Sequence, residues 1–150
     1  MATARKRPST LEVGTPAGEM NTLLILSNGD LIGHALVNGA DPSMGVLICK
    51  FEPTPPYEEV KWIFEDFAAK LIIPQTLGQP IPAEVGTPED EHRYLESYYN
   101  SKNKLNLEVT MLDGTPIKSD NIHLVDLRKD LGEIELYIYT DSETAIGLYC

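Results

Sequence analysis

The chain has 150 residues, 23 acidic and 12 basic, for a formal charge of −11 with its three histidines neutral. Hydrophobic residues make up 42% and charged residues 23%, the composition of one ordinary globular domain, which at this length buries roughly 70% of its unfolded surface without disulfide staples. Such acidity argues against a nucleic-acid binder, whose affinity rests on cations that neutralise phosphates, and no apolar run approaches the ~20 residues that cross a bilayer.

Residues 1–20 are small, polar and rich in Pro and Gly, with no apolar period, so they read as a disordered tail ahead of one globular domain over 21–150. The triplet Arg5-Lys6-Arg7 is followed by Pro8-Ser9-Thr10, where a secretory signal needs an apolar stretch, so export by that route is not expected. Cys49 and Cys150 make no disulfide framework, which points to a reducing, cytoplasmic setting. Without the tail, the body holds 21 acids and nine bases, a net charge of −12.

Along the body, Asn28-Gly29 between the apolar runs 22–27 and 31–37 predicts a hairpin, because a type I′ turn needs positive φ at both central residues. The turn formers of 38–43 predict a loop, and 44–51 a third strand that ends at Pro53, Pro55 and Pro56. Tyr57, Val60, Ile63, Phe64, Phe67 and Leu71 fall at helical spacing and predict the main helix over 57–71, with Thr54 as a candidate cap and Lys70 four residues after Asp66. Prolines 74, 80 and 82 predict an irregular connection over 72–86. Thr87-Pro88 then looks like an N-cap and first residue of a shorter helix over 88–101. Three strands follow, over 105–111, 122–127 and 133–139, the first and last alternating with period two. Short links favour antiparallel pairing. The expected architecture is α+β: a mostly antiparallel sheet of five to seven strands with the two helices packed on it.

Few residues suggest chemistry. His34, Asp41 and either Cys49 or Ser43 supply the types for a nucleophile–base–acid set, which works only if they meet within hydrogen-bond reach. Ser43 sits in no G-x-S-x-G elbow, and a cysteine inside an apolar strand is usually an inert buried thiol. His34, His92 and His123 have no metal-ligand spacing, and no glycine-rich phosphate loop exists, so neither metal nor cofactor is expected. The surface is more informative. Glu89, Asp90, Glu91, Tyr94 and Tyr98 share one predicted helix, while Glu133, Glu135, Tyr137 and Tyr139 share one face of the last strand. Carboxylates steer a basic partner, and tyrosine offers contact area with a hydrogen-bonding tip.

Trp62 falls about 200° from Val60 on the helical wheel. It is expected to pack beneath the 72–86 connection; left exposed, it would be an anchor for a partner. The expectation is a small acidic non-enzymatic protein-binding module, such as an immunity or inhibitor protein acting on a basic toxin. The alternatives are a small enzyme using residues 34–49, and a structural subunit of a phage or secretion apparatus whose sheet edges pair between copies.

Overall fold

In the computed structural model, β1 (Thr22–Ser27) and β2 (Asp30–Asp41) are joined by Asn28 and Gly29 at φ values of 49° and 85°. These are the positive values that the expected two-residue hairpin turn requires. The structure describes residues 21–149; the expected tail with Arg5-Lys6-Arg7, and also Cys150, lie outside the described residues. β2 runs through Asn38-Gly39, where a loop was expected. A bulge between Val37 and Gly39 absorbs the extra residue and keeps Ala40 and Asp41 paired with β3 (Val46–Pro53).

Four further strands, β4 (Leu107–Thr110), β5 (Pro116–Ile117), β6 (Asn121–Asp126) and β7 (Ile134–Tyr139), complete one sheet in the order β5-β4-β1-β2-β3-β7-β6. Every pair is antiparallel, and the seven strands curve into a half-barrel, which is the expected α+β class. Residues on one face build the core, with Ile25, Ala35, Leu47, Leu124, Leu136 and Ile138 fully buried.

The helix after β3 departs from the expected 57–71. A 3-10 turn (Pro55–Glu59) comes first, and α1 (Lys61–Phe67) starts only after Val60, at φ −117°, breaks the run. The chain then passes through a π-helical turn (Ala68–Ile72) into α2 (Ile73–Leu77), giving 17 continuous helical residues. Pro74 lies inside that run. It has no N–H to donate, and the π turn, in which the Ile73 N–H reaches back to the Ala68 carbonyl, resets the ladder just before it. Thr54 does not cap this helix; its hydroxyl donates to the Leu31 carbonyl at 2.6 Å.

α3 (Pro88–Asn103) begins as expected, with the Thr87 Oγ1 accepting the Asp90 N–H at 3.0 Å. Three helices had no counterpart in the sequence reading: α2, inside the 72–86 stretch expected to be irregular, α4 (Arg128–Leu131), in the β6–β7 link, and α5 (Ser142–Tyr149), which packs Ala145 against β2. α1 packs against β6, the last strand of the sheet. Its Phe64 enters the core, and its Phe67 meets His123 with ring centroids 5.5 Å apart. α3 lies against α1 through Tyr98, stacked on Phe67 at 4.3 Å. Among the described residues, no helix is long and apolar enough to cross a membrane.

Candidate functional site

α1 turns one flank toward α3 and the other toward α4. The α4 flank opens into a cleft of about 460 Å³ whose lining includes Trp62, Glu65, Asp66, Asp126, Lys129 and Asp130. Trp62 is 60% exposed at this cleft. The helical wheel correctly set it off the core stripe. The burial expected beneath 72–86 does not occur, because Ile81 and Val85 of that connection line a groove with Lys70, Leu71 and the start of α3 instead. The carboxylates differ in their commitments. Asp66 accepts from Lys70 and from the Tyr94 hydroxyl, each at 2.7 Å. Asp126 is buried and accepts from the Tyr57 hydroxyl at 2.7 Å and from the Arg128 guanidinium at 3.0 Å. Glu65 and Asp130 have no basic partner at ion-pair distance among the described residues. Glu65 and Asp130 thus stand uncommitted beside an exposed indole, with Lys129 also on the cleft wall; an indole face and carboxylates are groups that attract cations.

The residues expected to bind a partner separate into three groups. Glu89 and Glu91 are exposed on the first turn of α3, and Asp90 beside them is half-buried and paired with Arg93. Tyr94 and Tyr98 turn inward toward α1. The Tyr94 hydroxyl is committed to Asp66, and burial followed by that hydrogen bond raises its pKa well above the usual phenol range. Tyr98 is 4% exposed and holds α3 to α1, so neither ring tip is available to a partner. The third group lies on β7, where Glu135 and Tyr137 stand opposite Lys50 and Ile48 of β3. The Tyr137 hydroxyl donates to Glu135 at 2.9 Å, and burial together with that bond pushes it up to about 12. Tyr139 is half-buried on the same face, and Glu133 is exposed just before the strand. His123 and Phe67 stand between Tyr137 and Tyr98, so the α3 and β7 groups are two patches rather than one surface.

The nucleophile sets are not assembled. Cys49 pairs with Val37 across β2 and β3, whereas His34 pairs with Glu52. Side chains alternate along a strand, so Cys49 faces the core and His34 the opposite side. Burial pushes the Cys49 thiol up to about 12, far from a thiolate at neutral pH. Ser43 donates to Asp41 at 2.6 Å, but His34 lies about 20 Å away along the strand at ~3.3 Å per residue. Of the two edge strands, β6 is packed by α1, and β5 is two residues long and begins with proline.

A second, smaller pocket of about 220 Å³ lies between the last turn of α3, β4 and the start of β6. Lys102 and Asn121 line it, and the Lys102 ammonium donates to the Asn121 Oδ1 at 2.9 Å. No sequence signal marked this site, since a lysine on a polar helix reads as solvated until the neighbouring strand is placed. Among the described residues, no group of three or more His, Cys, Asp or Glu is placed to hold a metal. Comparison with protein-family models, curated proteins and solved structures finds no match for the chain.

Proposed function

We propose that the protein is a small acidic, non-enzymatic binding module of the cytoplasm that docks a basic protein, with the Trp62 cleft as its centre. The observation that carries this reading is an exposed tryptophan beside Glu65 and Asp130, which among the described residues have no ion-pair partner, in a cleft where four carboxylates outnumber the one lysine, Lys129. A partner's arginine or lysine entering the cleft would lie over the indole and donate to Glu65 and Asp130, an arrangement worth on the order of 2 kcal/mol once desolvated. Glu89 and Glu91 on α3, across α1 from the cleft, add to the negative field that steers encounter, an effect on association rate more than on residence time. Inhibition of a basic toxin is the concrete form of this reading: a rigid acidic face can occupy a cationic groove that otherwise takes phosphates.

The test is capture from the native host with three baits: the natural chain, W62A, and E65Q/D130N. One basic protein retained by the natural chain, released by salt and missing from both variants is the expected result. A partner retained equally by all three baits would overturn docking at this cleft.

A further inference from the structure

Lys102 occupies an unusual position for a lysine. It is only 7% exposed, yet among the described residues no carboxylate lies within ion-pair distance of its ammonium. Among the described residues its single hydrogen-bond acceptor is the neutral Asn121 Oδ1. The rings of Tyr98 and Tyr99 each stand 6.0 Å from the nitrogen. An ammonium carries three donors, so two are left over. Because Asn121 uses its oxygen on Lys102, its amide NH2 is free to donate to another group. A buried cation without an anion is costly, and proteins ordinarily pair it or replace it with an apolar side chain of similar volume. Here the unsatisfied donors border a polar pocket of about 220 Å³, lined also by Asn103, Asn106, Ser119 and Asp120.

We propose that this pocket binds a small oxyanion, a phosphate or a compact carboxylate, held by the Lys102 ammonium and the Asn121 amide. At ~30 Å³ per water the space equals about seven waters, enough for such an anion with part of its hydration and too small for a nucleotide. The charged and titratable groups around Lys102 are the phenols of Tyr98 and Tyr99 on α3, His123 on β6 and the Asp120 carboxylate in the loop before it. Asp120 opposes an anion, but it is exposed and its repulsion is screened by solvent. Burial pushes the lysine down to about 8, and an anion in the pocket favours the charged form. Affinity therefore holds below that pH and falls above it as the amine loses its proton.

The probes are inorganic phosphate and, separately, acetate, each titrated at constant ionic strength while backbone amide resonances are followed. Saturating shifts centred on Lys102, Asn103 and Asn121 are expected with at least one probe, weakening about thirtyfold between pH 7 and pH 9.5 as the amine loses its proton. The probe that saturates assigns the anion class. K102M keeps side-chain volume and removes the charge, so its fold should persist and its response vanish. N121D supplies an internal carboxylate, which should raise the thermal midpoint and also abolish the response, while K104M should retain it. Shifts that fail to saturate with both probes, or that survive in K102M or N121D, would overturn the site. This outcome is separate from the Trp62 cleft, which none of these substitutions touches.

Discussion

At Asp126 one carboxylate, 1% exposed, holds two separate parts of the chain. It accepts the Tyr57 hydroxyl, the Arg128 guanidinium and the Arg128 backbone N–H, tying the turn after β3 to the start of α4. Arg128 also lies over the Tyr57 ring at 5.3 Å. Removing the acid leaves a buried hydroxyl and a partly buried cation without acceptors. D126A is therefore expected to lower stability by about 2–4 kcal/mol, seen as a fall in the urea midpoint; a shift within ~0.5 kcal/mol would show that solvent replaces the carboxylate without loss. Tyr57, Tyr94, Tyr98, Tyr137 and Cys49 all hold their protons more tightly when folded, chiefly through burial. The unfolded chain releases these protons near the ordinary values of 9.0 for the thiol and 10.0 for the phenols. Above those values the unfolded state binds fewer protons, so stability falls as pH rises. Lys102, lowered from 10.5 to about 8, contributes with the opposite sign from pH 8 upward, whereas the four phenols begin to count only as pH approaches 10. Below pH 9 the lysine's gain offsets the thiol's loss; above it the phenols take over, so urea midpoints from pH 9.5 to 11 should decline, and Y57F should flatten the decline; a midpoint that climbs across this range would contradict it.

Helices and strands depend on contacts of a different kind, and two of them isolate single causes. Gly33 on β2 sits under Phe51 of β3, where an added Cβ would lie 2.2 Å from the ring Cζ and 2.8 Å from the Glu52 carbonyl. G33A is thus an overpacking mutation expected to cost about 1–3 kcal/mol by chemical denaturation. At α3, T87A removes the hydroxyl that accepts the Asp90 N–H and should cost about 1 kcal/mol with unchanged denaturant sensitivity. Elements of this local sort were legible in the residues. Asn28-Gly29 permits the hairpin turn, Thr87-Pro88 starts α3, and the alternation of β7 sets its two faces, each through chemistry confined to a few positions. α5 was not legible: Ala145 is its one fully buried residue, so no apolar stripe marks it, and it is held by packing on β2. The continuation of α1 past Pro74 was hidden for a related reason, since a π turn leaves no residue pattern of its own.

On the scale of the whole molecule, 23 acids against 12 bases give a negative field that composition alone revealed. Where the fold gathers that charge was less visible. Glu89 and Glu91 were correctly placed on an exposed turn, but Tyr94 and Tyr98 on the same helix are taken up by Asp66 and Phe67. The cleft draws Glu65 from α1 and Asp130 from α4, residues 65 positions apart that only the fold brings together. Trp62 is the chain's one tryptophan, so its emission reports directly on that cleft. The decisive measurement is a titration with an arginine-rich peptide, following Trp62 emission at about 20 mM and about 500 mM salt. A saturable change at low salt that disappears at high salt, is weakened at least fivefold by E65Q/D130N and is kept by E133Q/E135Q is expected. Binding that ignores ionic strength, or that E65Q/D130N leaves unchanged, would contradict a cation-docking cleft at Trp62.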